Sequence, residues 1–211
     1  MRKIILLFFI STISLFDSEI GKAEEPKNYL KGKFYSSVKN HFLIATEKMT
    51  DYRFSKTVII MLESDESGAW GLAINKQLGT MPIALLIDPS LNSSEEREDL
   101  FKVSIPIFWG GPVDTKEIFV LHSNEYKSES TKKYGDISIS QDYEILFDIA
   151  KNKGPNKSLV ILGYSGWGKG QLEGEMERDH WILSNIDLNI TFNEEPKKKW
   201  NRAIKNSFIK I

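Results

Sequence analysis

The pattern closest to a catalytic motif is the segment GYSGW at 163–167, in which Ser165 follows an apolar run. A serine placed after a strand and before a helix is typical of the nucleophile elbow of hydrolases. The elbow pattern Gly-x-Ser-x-Gly is not met, because Trp167 stands where a small residue is needed for the tight turn. A hydrolase that uses Ser165 with His122 or His180 is therefore an alternative function and not the favoured one.

Residue types that hold metals or cofactors lack the spacing that such sites require. The three histidines, His41, His122 and His180, are far apart in sequence, no HExxH pattern occurs, and the chain contains no cysteine. The glycines between 163 and 170 show neither the Gly-Lys-Ser/Thr ending of a Walker loop nor the spacing of the dinucleotide fingerprint. We therefore expect no catalytic residue, no metal site and no cofactor.

Charged residues give weaker indications. Glu173 and Glu177 lie one helical turn apart with Glu175 on another face, a pattern typical of a solvated helix surface. A basic cluster between 197 and 205 is the feature that suggests a DNA-binding regulator, a second alternative function. With 28 basic and 29 acidic side chains the net charge is −1, so the chain lacks the basic footprint typical of nucleic-acid binding. We do not expect nucleic acid as a partner.

Two glycine-containing segments are the best candidates for a binding surface. The segments at 110–112 and 163–171 each follow an apolar run that predicts a buried strand. If both strands end at the same edge of a sheet, aromatic faces and amide groups meet there, the mixture typical of small-molecule and peptide sites. The alternative is that the glycines only allow close packing of aromatic rings. The candidate residues are Asn75, Gly110, Gly111, Tyr164, Trp167 and Gln171.

The N-terminus has the pattern of a secretory signal peptide. Arg2 and Lys3 precede a largely apolar run over 4–16, and Gly21 and Ala23 have the spacing of a cleavage site. As a helix this run would reach about 20 Å, short of the roughly 30 Å hydrocarbon core of a bilayer. We predict cleavage after Ala23 and a periplasmic or secreted mature chain without a transmembrane helix. An uncleaved segment on a cytoplasmic protein is the alternative.

The rest of the chain has no internal repeat and no flexible linker, which predicts an N-terminal extension over 24–32 and a single domain over 33–211. The alternation of Leu188, Ile190 and Phe192 with polar residues predicts a strand with one exposed face. Apolar, β-branched runs predict further strands over 42–45, 57–62, 69–74, 105–109, 118–121 and 159–162.

Helices are predicted at three places. The polar, acidic segment over 90–99 reads as a loop that leads into a short helix. Ser140 has the type of an N-cap and precedes a helical pattern that continues to Lys151. Pro196 fits the first turn of a last helix. Because hairpin-like strand pairs outnumber strand–helix–strand units, the predicted class is α+β.

A set of residues and segments carries a resemblance when taken together: 42–45, Met49, Asp51, Phe54, 57–62, 68–76, 109–113, 120–122, 162–167, 170–173, Trp181, Phe192 and Trp200. In this order and spacing they resemble the YqgE/AlgH family of bacterial proteins over about residues 33–208. The resemblance implies an α+β fold with a branched, mostly antiparallel sheet that curls into a partial barrel with flanking helices. It supplies no catalytic residues, since the function of the family is not established and only one branch is labelled a transcriptional regulator. Members are usually cytosolic, so the leader is a departure. We predict a non-enzymatic binding or interaction domain for an unidentified small molecule or protein.

Overall fold

Twelve strands and four α-helices form in the part of the chain that the computed structural model describes, which is residues 27–30, 33–35, 37–88, 90 and 93–207. The predicted signal peptide at 1–23 lies outside these residues. The strands are β1 (Lys27–Leu30), β2 (Lys33–Tyr35), β3 (His41–Ala45), β4 (Val58–Asp65), β5 (Gly68–Ala73), β6 (Gln77–Pro82), β7 (Ser104–Trp109), β8 (Val113–Ser123), β9 (Lys132–Tyr134), β10 (Ile137–Ser140), β11 (Ser158–Gly168) and β12 (Trp181–Asn185). The helices are α1 (Ser94–Lys102), α2 (Glu144–Ala150), α3 (Gln171–Glu177) and α4 (Pro196–Lys205).

Strands β3 to β12 form one sheet, and β1 pairs with β2 as a separate hairpin. The main path of the sheet runs β12-β3-β4-β5-β11-β8-β10-β9. Outside this path, β7 pairs with β11 as a branch, and β6 pairs with β7. Only the β7–β11 pairing is parallel among the described strands. The sheet curls into a half-barrel. The predicted α+β class, with a branched, mostly antiparallel sheet in a partial barrel, is confirmed.

Within the long strands β8 and β11, residues 119–122 and 159–161 are buried on both faces, which explains their continuous apolar runs. Leu121 and Ile161 belong to the larger cluster of buried side chains. Their chain neighbours Val120 and Val160 belong to a second, smaller cluster, which also contains Ile145 of α2. These two strands therefore hold the two parts of the core together.

The branch in the sheet lies in the middle of β11. Residues 158–162 of β11 pair with β8 and β7, whereas residues 165–168 pair with β5. Gly163 lies between the two halves with a φ of +67°, in the left-handed region that L side chains rarely adopt. The glycine-containing segment at 163–171, which the sequence places after a strand, in fact belongs to β11 up to Gly168, because the chain changes strand partners there and does not leave the sheet.

Two other predictions need correction. The segment at 188–192 is not a strand: Asn189–Asn193 forms a π-helical turn, and the Asp187 carboxylate accepts the backbone N–H groups of Asn189 and Ile190. Ser140 is not an N-cap but the buried end of β10. Helix α2 begins at Glu144 and the Asp142 carboxylate accepts the N–H of Ile145 in its first turn.

Candidate functional site

Gly110 and Gly111 are buried at the branch of the sheet and are not part of a binding surface. The Gly110 carbonyl accepts the N–H of Ala73 at 3.0 Å, and the Gly110 N–H donates to Leu162 at 2.8 Å, so this residue joins the two branches. A Cβ on Gly110 would lie 2.1 Å from the Gly163 carbonyl oxygen. These glycines are required for close approach of two backbones.

The amide of Asn75 is also used by the fold. Its Oδ1 accepts the N–H of Val58 at 2.9 Å, and its Nδ2 donates to the carbonyl of Lys56 at 2.8 Å. Asn75 lines a depression beside α4 and is not grouped with the other candidate residues. Its side-chain amide thus closes the turn before β4.

Trp167 and Gln171 belong to a hydrogen-bonded cluster centred on Glu175. One Glu175 carboxylate oxygen accepts the indole N–H groups of Trp167 at 3.0 Å and Trp181 at 2.7 Å, and the other accepts the Gln171 amide at 3.1 Å. The Trp167 ring is 6% exposed and meets Trp181 edge-on at 5.8 Å. Glu175 is thus the carboxylate of α3 with a specific role, rather than the pair Glu173 and Glu177 singled out by spacing.

Tyr164 lies in a different setting, an open groove of about 650 Å³ over β5, β8 and β11. Its ring meets Trp70 at 5.7 Å and Phe119 at 6.1 Å, both edge-on, and Trp70 and Phe119 are 5.9 Å apart. Trp70 and Tyr164 are partly exposed. We call this feature the aromatic groove and define its floor as these three rings. Trp167 reaches its margin.

The rim of the aromatic groove is acidic. Glu63, Asp114 and Glu117 line it, and all three are exposed. The last two lie in a bulge of β8, because Val113 pairs with Tyr164 while Ile118 pairs with Leu162. The residues between 113 and 118 therefore protrude from the sheet beside the rings.

Neutral donors of the groove contact these carboxylates. Glu63 accepts the indole N–H of Trp70 at 3.2 Å and the Tyr134 hydroxyl at 3.1 Å. Burial and the Glu63 charge raise the pKa of Tyr134 to about 12. Burial, and then the charges of Asp114 and Glu117, raise the pKa of Tyr164. Both phenols therefore stay protonated at neutral pH and act as donors.

The residues of the hydrolase alternative are not brought together. The Ser165 hydroxyl is buried and donates to the Gly110 carbonyl at 2.8 Å. His122 is buried too: its Nδ1 contacts the Ser123 carbonyl at 2.9 Å and its Nε2 contacts the Ser140 hydroxyl at 3.0 Å. Burial lowers the pKa of His122. His180 lines a small cleft of about 230 Å³ together with Gln171, whereas the Ser165 hydroxyl is engaged by the Gly110 carbonyl.

The basic side chains of α4 have different surroundings, because some form ion pairs and one is buried. Lys198 pairs with Glu195 at 2.9 Å and Arg202 with Glu194 at 3.4 Å. Lys199 is 1% exposed and its Nζ donates to the carbonyls of Thr191 at 2.6 Å and Ile74 at 3.1 Å. Its charge therefore points into the protein.

The described residues show neither a cluster that could hold a metal ion nor a helix that could span a membrane. No group of three or more His, Asp or Glu side chains in this part of the chain is arranged to hold a metal ion. None of its helices combines the length and the apolar composition needed to span a bilayer.

Sequence patterns indicated Tyr164 and Trp167 but missed Trp70, Phe119 and the carboxylates of the rim. Trp70 comes opposite Gly166 only through the pairing of β5 with β11. Phe119 is 5% exposed and has the sequence environment of an ordinary core residue. The sequence does contain one signal for Trp70. This large ring comes two residues after the predicted turn of a hairpin, where few neighbouring side chains cover its apolar surface.

Comparison with known proteins gives one consistent family. The family model DUF179, described as AlgH-like, matches residues 42–211. A UPF0301 protein of Methylococcus capsulatus is 36% identical over 180 residues, which is 84% of this chain and 95% of that protein. The UPF0301 protein AlgH of Pseudomonas aeruginosa is 37% identical over 174 residues, which is 79% of this chain and 86% of that protein.

Solved structures agree with this result. The solution structure of AlgH from Pseudomonas aeruginosa has a TM-score of 0.68 at 35% identity and covers 84% of this chain and 92% of its own. A crystal structure of a Corynebacterium diphtheriae protein has a TM-score of 0.57 at 12% identity, covers 79% of this chain and 85% of its own, and shows a shared fold alone. The resemblance that the sequence motifs suggested is confirmed, and the chain belongs to the AlgH-like UPF0301 family.

Proposed function

We propose that this protein is a non-enzymatic binding domain and that the aromatic groove is its ligand site. The observation that carries the proposal is the cluster of Trp70, Phe119 and Tyr164 at the floor of an open groove of about 650 Å³. Partly exposed aromatic rings next to convergent polar groups are typical of binding sites in this range of volumes. The other candidate residues, by contrast, have their polar groups engaged within the fold.

The binding experiment uses the tryptophan indole N–H signals in ¹⁵N-labelled protein. The probes are a set of small fragments that includes neutral, anionic and cationic members. Trp70 donates its indole N–H at the groove, whereas Trp200 donates to the Ala45 carbonyl in the core at 2.7 Å and serves as the internal reference. We expect at least one class of fragment to shift the Trp70 signal and leave the Trp200 signal in place.

A variant pair then assigns the binding to the groove. Trp70→Ala should raise the Kd of that fragment roughly thirtyfold, since truncation of a central aromatic residue costs about 2 kcal/mol. Tyr52→Ala is the matched control, because Tyr52 is 85% exposed and is not part of the groove. Equal Kd values for the two variants, or shifts confined to signals outside the groove, would contradict the proposal.

The non-enzymatic part of the proposal is tested with a fluorophosphonate probe. Ser165 and Ser140 are each fully buried, so neither hydroxyl is presented to a substrate. We expect no adduct on either serine when the folded protein is treated and analysed by peptide mass spectrometry, alongside a serine esterase as positive control. An adduct on Ser165 would restore the hydrolase alternative.

We also propose that the mature chain begins after Ala23 and acts outside the cytosol. This proposal rests on the composition of residues 1–23. The intact mass of the protein recovered from fractions of its native host is the direct test. A periplasmic species that lacks residues 1–23 supports the proposal, and a full-length cytosolic species contradicts it.

A further inference from the structure

We propose that the ligand of the aromatic groove is an aliphatic polyamine, a chain of methylene groups that carries several ammonium charges. The inference rests on the proposed function of the groove and adds the class of ligand. Its basis is the combination of an aromatic floor and an acidic rim.

The floor suits a chain of methylene and ammonium groups. Trp70 and Tyr164 are partly exposed, and their edge-on packing keeps the two rings at different angles to the groove. The face of an aromatic ring attracts a cation within about 6 Å of its centre, and tryptophan does so most strongly. The same faces pack against methylene groups, so both parts of a polyamine find partners on the floor.

The rim supplies negative charge that no basic side chain of the described residues neutralises by an ion pair. Among the described residues, Glu63, Asp114 and Glu117 have no Lys, Arg or His partner within 4.0 Å. Their polar contacts are neutral donors, such as the Gln141 amide at 3.3 Å from Glu117. Lys116, in the same bulge, lines the adjacent depression and not the groove. A ligand with two or more positive charges is therefore complementary to this rim.

The strands beneath the groove determine whether a peptide is a competing occupant. Peptides often bind by adding a strand to an open sheet edge, through main-chain hydrogen bonds. In the groove, β5 is paired with β4 and β11, and β11 is paired with β5 and β8, while β8 is paired with β11 and β10. Beside the groove, however, residues 165–168 of β11 pair only with β5, and residues 114–117 of β8 pair with no strand. A peptide is therefore the alternative occupant, and the trilysine probe tests it.

The experiment titrates spermidine into the full ¹⁵N-labelled protein at about 50 mM salt, where screening of charges is weak. The neutral probe is 1,8-octanediol, a chain of similar length without charge, and the peptide probe is trilysine. We expect spermidine to shift the Trp70 indole signal at lower concentration than either of the other probes. The Trp200 signal should stay in place.

Removal of the rim charges tests whether the carboxylates of the rim contribute to the binding of spermidine. Asp114→Asn with Glu117→Gln keeps shape and hydrogen bonding, and asparagine tolerates the positive φ of 43° at position 114. This double variant should raise the Kd of spermidine about tenfold, since each exposed ion pair contributes a few-fold. The control is Glu98→Gln with Asp99→Asn on α1, which removes the same charge from side chains that are 78% and 74% exposed and should leave the Kd unchanged.

The outcomes separate the two proposals. If octanediol or trilysine binds more tightly than spermidine, and Trp70→Ala abolishes that binding, the groove is a site but the polyamine is wrong. If both double variants weaken spermidine equally, its binding reflects net charge alone and the inference fails. If no probe shifts the Trp70 signal, including the fragment set above, the proposed function fails as well.

Discussion

Lys199 is a cation in the core that has no carboxylate partner within 4.0 Å among the described residues. Its ammonium group holds the π-helical turn to the end of β5 through the carbonyls of Thr191 and Ile74, and lies 5.7 Å from the centre of the Phe108 ring. Burial lowers the pKa of Lys199 to about 8. Lys199 therefore links two elements of the fold, although removing its charge from water is unfavourable.

This lysine predicts a pH dependence of stability. Between pH 8 and about 10.4, the ordinary value for lysine, the unfolded chain binds more protons at this site than the folded chain does. The free energy of unfolding should therefore rise with pH over this window by about 3 kcal/mol from this group, and this contribution should be absent below pH 8. Urea unfolding of the wild type and of Lys199→Met at several pH values isolates the contribution.

The matched control is Lys197→Met, which removes an exposed charge from the same helix. It should follow the pH profile of the wild type. If Lys199→Met also follows that profile, the ammonium group is not desolvated in the folded state.

Trp167 is expected to act mainly in packing. Trp167→Ala should lower the free energy of unfolding by about 3–5 kcal/mol, the usual range for removing a buried tryptophan. Trp167→Phe keeps a ring beside Trp181 but loses the hydrogen bond to Glu175, and should cost about 1 kcal/mol, or up to 3 kcal/mol if the carboxylate is left unsatisfied. Chemical denaturation measures both. A near-neutral Trp167→Ala variant with impaired fragment binding would instead make Trp167 a ligand contact.

At the level of elements, the branch of the sheet explains the glycine-rich segments. Gly110 and Gly163 meet where β5, β7 and β11 converge, and no side chain fits between them. Ser165 secures the same junction through its hydrogen bond to the Gly110 carbonyl. The glycines and Ser165 that resemble a catalytic elbow are thus required for packing at the point where β11 changes its pairing partner.

The junction predicts a large difference between two glycine substitutions. Gly110→Ala places a Cβ 2.1 Å from a backbone oxygen and should cost 4 kcal/mol or more, or prevent folding, on the order of the largest single-residue effects. Gly79→Ala in β6 has no atom within 4 Å of the new Cβ and should be near neutral. Thermal unfolding of the two variants is the measurement. Similar melting temperatures would show that the junction can open without cost.

The sequence predicted elements well where burial alone determines them. Strands β3 and β4 were predicted because their apolar runs are buried on both faces. Helix α4 was predicted on a different ground, because Pro196 fits its first turn. Strand β6 was missed since residues 77–80 are exposed and show no apolar alternation. The aromatic groove was only half predicted, because the meeting of Trp70 with Tyr164 depends on strand register, which periodicity does not encode.

Across the whole molecule, charge is distributed unevenly although the net charge is only −1. The groove carries unneutralised carboxylates, whereas much of the basic cluster on α4 is paired with Glu194 and Glu195 or buried. The positive charge available to contact a phosphate backbone is therefore smaller than the run of basic residues at 197–205 suggests.

This distribution predicts that the protein does not bind DNA. In gel-shift experiments at about 50 mM salt, where counterion release favours binding most, we expect no retained duplex at micromolar protein. A variant with Glu194→Gln and Glu195→Gln, which frees the basic side chains of α4, is the informative comparison. Salt-dependent retention by the wild type would restore the regulator alternative.

The change of partners along β11 also has a consequence for how the chain folds. Its Gly166 pairs with Trp70 and its Ile161 with Phe108, so the sheet cannot be completed until a strand late in the chain has formed. Contacts between segments so distant in sequence make folding slow and cooperative. Amide protons of β5 and β8 that bond to β11 should then exchange through the same opening, because both strands lose one of their two pairing partners once β11 detaches.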